Sequence, residues 1–212
     1  MRETARRWLP VAIVLTGVGY LVAAPSEPLA LRLAFKVLPM VLIVAYAVTL
    51  LPTDVRRVHG LILVGLGFSA VGDVTLHWFL VGLTAFLVAH CCYLAGFLTR
   101  VRPTPTRAGW AVPLALVGLL VGWRLLTAIQ ADGETLLLVP VALYVVVILS
   151  MAWVAILTGN RWAGAGSVLF VTSDAILAWD MFVETLPYAG TAVMTTYYAA
   201  QLLIARSVAD FD

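Results

Sequence analysis

The stretch that decides the class of fold is residues 60–98, which run GLILVGLGFSAVGDVTLHWFLVGLTAFLVAHCCYLAGFL. It consists of two apolar runs, near 60–77 and 79–98, and its one charged side chain is Asp73. Each run has about the 20 apolar residues that an α-helix needs to cross the hydrocarbon core of a bilayer. Strands of a membrane β-barrel are shorter and alternate in polarity, so these runs predict two membrane-spanning helices.

The rest of the chain has the same character. Of its 212 residues, 63% are hydrophobic and 11% are charged, whereas a soluble domain carries about 25% charged residues. Six more apolar runs are spaced along the chain, near 9–24, 33–51, 109–129, 135–157, 162–183 and 187–205. We therefore predict an all-α polytopic membrane bundle of about eight transmembrane helices, with residues 1–212 forming a single transmembrane domain.

Basic residues are distributed unevenly between the predicted loops. With the N terminus inside the cell, ten of the thirteen Lys and Arg residues fall on the inner side, leaving Arg32, Lys36 and Arg124 toward the outside. Because cytoplasmic loops carry an excess of Lys and Arg, we predict a protein of the cytoplasmic membrane with both termini cytoplasmic. Topology then accounts for the net charge of +2, so we predict no nucleic-acid partner. Asp180 and Glu184 lie near the outer surface and are interpreted as solvated.

Two aspartates lie inside predicted spans. Asp73 and Asp174 each fall about 20 Å from the cytoplasmic end of their span, by the helical rise of about 1.5 Å per residue. A carboxylate at the centre of a spanning helix costs about 2.5 to 3.5 kcal/mol on insertion scales, so each needs a functional or structural reason. Because the two spans run in the same direction, the carboxyl groups can meet at one depth.

Both aspartates belong to the same short pattern, Gly-x6-(Gly or Ser)-Asp-x-x-Leu. It covers Gly65–Leu76 in the third span and Gly166–Leu177 in the seventh. Small residues at such spacings allow the backbone of another helix to approach closely. A pattern that recurs four spans later in the same orientation indicates a parallel four-plus-four repeat. Chance recurrence in a chain rich in Ala, Gly, Leu and Val remains the alternative.

Three further spans carry polar or aromatic faces at helical spacing, and Lys36 lies near the outer end of the second span. Such faces either pack helices together or line a site. The ammonium group of Lys36 either extends to the membrane surface or binds a lipid headgroup. The faces comprise Phe86, His90, Tyr93 and Phe97 in the fourth span, Tyr144 and Met151 in the sixth, and Met194, Tyr197 and Gln201 in the eighth.

The order and spacing of these blocks resemble the YhhN-like membrane proteins, the lysoplasmalogenase family. The resemblance extends from Lys36 to Gln201 and rests on five blocks: Gly65–Asp73, Phe79–Tyr93, Tyr144 with Met151, Leu169–Asp174, and Tyr197–Gln201. One departure is that the family's Lys-Pro pair in the second span is replaced here by Lys36-Val37, with proline delayed to Pro39.

The resemblance implies an eight-helix enzyme that cleaves the vinyl ether bond of lysoplasmalogens to a fatty aldehyde and glycerophosphoethanolamine or glycerophosphocholine. It also implies that Asp73 and Asp174 are catalytic. The chemistry suits two carboxyl groups, because vinyl ethers hydrolyse by protonation of the β-carbon, formation of an oxocarbenium ion and attack by water. Two carboxyl groups that share about one proton can supply the acid and stabilise the cation, as in glycoside hydrolysis. Which aspartate has which role stays open at this point.

We expect the substrate, a lysophospholipid, to enter from the outer leaflet. Lys36, with Arg32 as a second candidate, would lie at headgroup level, the aspartates about 8 to 13 Å deeper, and His90 and Tyr93 deeper still. Replacing Lys36 with Ala would then raise KM more than it lowers kcat. The expected substrate-binding residues are Lys36, Ser69, His90, Tyr93, Tyr144, Ser173, Tyr197 and Gln201. We predict no cofactor, and the sequence does not predict an oligomeric state.

Three alternatives use the same residues differently. A proton-coupled transporter also keeps buried carboxylates near the membrane midplane, although Pro39 and Pro140 do not break matching helices in the two halves. A structural or lipid-binding membrane protein would tolerate Asn in place of both aspartates. A zinc site would combine the aspartates with His77 and His90, but these histidines lie over about 10 Å apart in predicted depth. We therefore predict no metal ligands.

Overall fold

The structure, a computed structural model, describes residues 2–25 and 27–211, and this part of the chain is helical without any β-strand. Eight of its α-helices have 19 to 22 residues, and the ninth, α5, is a short helix between two spans. Two 3₁₀ turns, Thr135–Leu137 and Val208–Asp210, follow α6 and α9. The helices are α1 (Arg2–Ala23), α2 (Leu29–Thr49), α3 (Arg57–Thr75), α4 (Phe79–Leu98), α5 (Pro105–Gly109), α6 (Ala111–Ala131), α7 (Leu138–Thr158), α8 (Arg161–Phe182) and α9 (Ala189–Ser207).

Seven helical segments within the described residues are long and apolar enough to cross a membrane. The eighth long helix, α9, has more polar side chains, but Tyr197, Tyr198 and Gln201 are buried where α9 packs on α8, α2, α1 and α3. Neighbouring helices therefore cover these groups in place of lipid. The predicted all-α membrane bundle of about eight helices is confirmed, and the orientation of its termini stays a prediction.

The helix packing follows the same order in two halves of the chain. In α1–α4 each helix packs on the next, and α6–α9 repeat this order, with the most extensive contacts between α3 and α4 and between α8 and α9. The halves also contact each other reciprocally, because α4 packs on α7 and α9 packs on α2. This arrangement favours the four-plus-four repeat over chance recurrence of the motif.

The first glycine of each motif permits the close helix pairs. A Cβ atom on Gly65 would lie 2.4 Å from the ring of Tyr93 in α4, and one on Gly166 would lie 2.9 Å from the carbonyl oxygen of Ala200 in α9. Neither distance is compatible with a side chain. The shared pattern therefore sets the close approach of α3 to α4 and of α8 to α9.

Candidate functional site

One cavity of about 590 Å³ opens on the side of the bundle opposite the chain termini, and both Asp73 and Asp174 line it. Its volume lies in the range of small-molecule sites, about 300 to 1,000 Å³. Most of its wall is apolar and comes from α6, α7 and α8, including Val117, Val121 and Leu149. The two motifs thus bring their carboxyl groups to one cavity.

Asp73 is held between a cation and a phenol. Its side chain is 2% exposed, and the ammonium Nζ of Lys36 lies 3.3 Å from its Oδ1. The hydroxyl of Tyr197 donates a hydrogen bond of 2.7 Å to its Oδ2, and Lys36 also donates to the backbone oxygen of Asp73 at 3.4 Å. Removing a carboxylate from water is costly unless a partner compensates it, and Lys36 is that partner.

This contact corrects the expected depth of Lys36. The sequence analysis put Lys36 at headgroup level, about 8 to 13 Å above the aspartates. The second span was predicted to begin at residue 33, but α2 begins at Leu29, so Lys36 lies two helical turns inside the helix. Its side chain is only 14% exposed and ends on the Asp73 carboxylate.

Asp174 has a different environment. The hydroxyl of Tyr144 in α7 donates a short hydrogen bond to its Oδ2. Within residues 2–25 and 27–211, no Lys, Arg or His forms an ion pair with Asp174. Both aspartates therefore accept a hydrogen bond from a tyrosine, but only Asp73 is next to a cation.

Three of the predicted binding residues lie behind the cavity wall. Ser69, Tyr93 and Gln201 are buried and do not line the cavity. The hydroxyl of Tyr93 donates to Oε1 of Gln201 at 2.9 Å and lies 3.4 Å from the hydroxyl of Ser69. Since the hydroxyl of Tyr197 is also 3.4 Å from the Ser69 carbonyl oxygen, this group supports the tyrosine that contacts Asp73.

His90 lies outside the cavity lining, whereas Ser173 lies within it. His90 is buried, with Nδ1 2.6 Å from the carbonyl oxygen of Phe86, and its ring packs edge-on against Tyr144 at 5.2 Å between centroids. Ser173 does line the cavity, but its hydroxyl donates to the carbonyl oxygen of Val193 and so joins α8 to α9. The structure thus gathers Lys36, Asp73, Tyr144, Ser173, Asp174 and Tyr197 at the cavity and keeps Ser69, His90, Tyr93 and Gln201 outside it.

Sequence reasoning missed part of the site. Asp180 lines the cavity although it was interpreted as solvated, whereas Arg32, the second candidate for the headgroup level, also lines it. The α6 wall, including Gly118, was not anticipated either, because an apolar helix face carries no chemical signal. Among the described residues, no group of three or more His, Cys, Asp and Glu side chains is arranged to hold a metal ion.

Comparison with known families gives one match over most of the chain. The sequence model of the YhhN family matches residues 31–208. The chain belongs to the YhhN family. The resemblance drawn from the five sequence blocks is therefore confirmed.

Relatives of this YhhN-family chain include proteins from animals and bacteria. It is 35% identical to the rat protein named lysoplasmalogenase TMEM86B, over 95% of this chain and 84% of that one. It is 34% identical to the human protein of the same name, over 97% and 88% of the two chains. A lysoplasmalogenase from Mycobacterium tuberculosis (strain CDC 1551 / Oshkosh) is 31% identical over 82% and 69%. No solved structure matches this chain.

Proposed function

We propose that this chain is a multi-pass membrane hydrolase that cleaves the vinyl ether bond of lysoplasmalogens to a fatty aldehyde and a glycerophospho-base. The observation that carries the proposal is that two carboxyl groups from separate spans line one cavity. The relatives at 31% to 35% identity are named lysoplasmalogenases and give no support to the transporter alternative.

The reaction needs a proton donor, a negative charge and water. A carboxylic acid donates its proton to the β-carbon of the vinyl ether, which leaves an oxocarbenium ion on the carbon bonded to oxygen. Water attacks that carbon, and a carboxylate accepts the proton that the water loses. The hemiacetal then breaks its carbon–oxygen bond to the glycerol, releasing the aldehyde and a glycerol hydroxyl group.

The geometry supports a different role for each of the two aspartates. Lys36 and Tyr197 both donate to Asp73, and so they favour its carboxylate form. Asp174 has no cation beside it, and because Tyr144 occupies its Oδ2, its Oδ1 can carry a proton. A charge without a partner is costly in an apolar cavity, so the neutral form of Asp174 is the stable one. Asp174 is the general acid, and Asp73 stabilises the cation and activates water.

The cavity orients the lipid along its length. The apolar wall formed by Val117, Val121 and Leu149 accommodates the alkenyl chain, and Arg32 near the start of α2 faces the headgroup end. Lys36 acts at the reaction centre rather than as the main phosphate ligand, because its ammonium is engaged by Asp73. We place the cavity mouth on the outer side of the cytoplasmic membrane, as the distribution of basic residues predicts.

Aldehyde release tests the proposal. Full-length protein purified in detergent is incubated with a lysoplasmalogen and, separately, with its saturated alkyl-ether analogue. We expect aldehyde from the vinyl ether only, and its loss in Asp174→Asn and Asp73→Asn. Asp132→Asn, an exposed acid at the end of α6 outside the cavity, is the matched control and should retain activity. Release from neither lipid, or full turnover by the double Asn variant, would contradict the proposal.

A further inference from the structure

The cavity has a thin wall on one side. Outside this wall, between α6 and α8, a groove of about 390 Å³ lies on the surface of the bundle. Four residues line both the cavity and the groove, namely Val117 and Val121 of α6 and Val171 and Ala175 of α8. At these positions the two hollows are separated by one layer of side chains, none of them larger than valine.

Helices α6 and α8 make a weakly packed boundary of the cavity. Each of them packs more extensively on α7, which lies between them in the chain, than on the other. Gly118 shows how closely α6 fits α7, because a Cβ atom at this position would collide with the side chain of Leu149. Since α7 holds both helices, the seam between α6 and α8 does not have to be tightly closed for the bundle to pack.

One contact bridges the seam near the C-terminal ends of its two helices. The guanidinium Cζ of Arg124 in α6 lies 5.9 Å from the centroid of the Trp179 ring in α8, a cation–π contact. Trp179 also lines the groove, so this contact lies at one end of it. Thr172 and Ile176 line the groove nearer the middle of α8, where the outer surface of a spanning helix faces hydrocarbon.

The seam begins beside the proposed general acid. Val171 and Ala175 lie three residues before and one residue after Asp174, and so within about 4.5 Å of it along the axis of α8. A vinyl ether held at the aspartates has its alkenyl chain attached directly to the reacting carbons, so the chain starts next to the seam. Bilayer hydrocarbon is as apolar as a leucine-lined cavity, and the far end of the chain therefore gains nothing from being fully enclosed.

We propose that the alkenyl chain passes through the seam between α6 and α8, and that its terminal part lies in the groove against Ile176, Trp179 and Leu186. This inference rests on the proposed function and adds a chain-binding subsite to the same cavity. The occupant is a hydrocarbon chain, because the groove adjoins the cavity that binds the chain and its shared wall is aliphatic. The hydroxyl group of Thr172 already donates to the carbonyl oxygen of Val168 and does not call for a polar ligand.

Two lysoplasmalogens that differ only in chain length test the subsite. One has a long alkenyl chain, and the other has a chain short enough to end inside the cavity. Thr172→Trp fills the groove from outside, because Thr172 lines the groove and not the cavity. It should lower kcat/KM for the long chain at least about fivefold, the lower end of the cost of overpacking, and lower it less for the short chain. The ratio of the two rates should therefore fall.

Thr195→Trp is the matched control. Thr195 is also exposed on a long helix and also donates to the carbonyl oxygen four residues earlier, but it lines neither the cavity nor the groove. Its replacement should change neither rate. An unchanged ratio in Thr172→Trp would overturn the proposal. A wild-type protein that cleaves neither lipid would contradict the proposed function instead.

Photolabelling of wild-type protein does not depend on cleavage or on the folding of a variant. The probe is the saturated alkyl-ether analogue with a diazirine at the end of its chain. We expect adducts on Ile176, Trp179 and Leu186, and an excess of unlabelled lysoplasmalogen should prevent them. Adducts on Leu119 and Leu120, which are exposed on α6 but line neither hollow, should persist. Groove adducts that resist competition, or competed adducts only inside the cavity, would show that the chain does not cross the seam.

Discussion

Asp73 and Asp174 occupy the same position of one motif on equivalent helices of the two halves, yet their neighbours differ in charge. Asp73 in α3 has Lys36 at 3.3 Å and the hydroxyl of Tyr197 at 2.7 Å. Asp174 in α8 has the hydroxyl of Tyr144 and no cation within the part of the chain that the structure describes. The motif determines how its own helix packs. The helix before it in the chain determines whether a cation lies beside the aspartate.

The difference shows how a repeated scaffold supports an asymmetric reaction. Lys36 lies on α2 and Tyr144 on α7, which occupy equivalent places in the two halves. One half supplies a cation and the other a phenol to the aspartate of the next helix. The proposed hydrolysis of a vinyl ether uses one protonated and one ionised carboxyl group, and we infer that the cation present in one half only favours both forms.

The largest expected effect is the loss of either aspartate. Asp174→Asn removes the proton donor and should lower kcat about 10²- to 10⁴-fold, the usual contribution of general acid catalysis. Asp73→Asn should have an effect of similar size. The double variant should be little worse than the worse single variant, because groups that act in one step are not additive. Rates of aldehyde release at saturating substrate measure kcat for each variant. Additive losses would contradict the proposal that the two carboxyl groups act together in one step.

Lys36→Met tests the asymmetry directly. It leaves a carboxylate that is 2% exposed without its cation, so Asp73 loses its ionised form and kcat should fall about 10- to 100-fold. KM should change less, the reverse of what the sequence alone led us to expect.

A double-mutant cycle checks the cause of that loss. In the Asp73→Asn background, Lys36→Met should cost little further activity, because the charge it compensates is already gone. A large additional rise in KM in that background would show that Lys36 binds the substrate instead.

Removing either tyrosine hydroxyl group from the site should lower kcat by a smaller factor, and the two factors should differ. Tyr144→Phe removes the hydrogen bond to Asp174, so kcat should fall about tenfold. Tyr197→Phe should cost about threefold, because Asp73 keeps Lys36. Tyr46→Phe, in the opposite half of α2, serves as the control and should have no effect. Single-turnover rates separate these values, and the opposite order would reverse the roles assigned to the two aspartates.

The class of fold could be predicted from the sequence, and so could the presence of Asp73 and Asp174 inside spans, because both are local properties. A helix long enough to cross the bilayer is visible in hydropathy, and a carboxylate inside it stands out by its cost. The contact between Lys36 and Asp73 was not predictable, because it depends on where α2 begins and on which helix packs beside it. The sequence of a helical face also does not show which helix or cavity the face contacts. For that reason His90 was predicted to bind substrate together with residues that do line the cavity.

The last prediction concerns stability instead of turnover, and it tests whether the two motifs are structurally equivalent. Gly65→Ala places a Cβ 2.4 Å from the ring of Tyr93, and Gly166→Ala places one 2.9 Å from the backbone oxygen of Ala200. Each should destabilise the protein by about 1 to 3 kcal/mol through overpacking, with Gly166→Ala at least as harmful because backbone yields less than a side chain. Gly67→Ala, on α3 with nothing within 4 Å, should leave the melting temperature unchanged or raise it slightly, since Ala favours helix. Thermal unfolding in detergent measures all three. If Gly65→Ala and Gly67→Ala behaved alike, the close pairing of α3 with α4 would not depend on the motif, and the equivalence of the two halves would lose its structural basis.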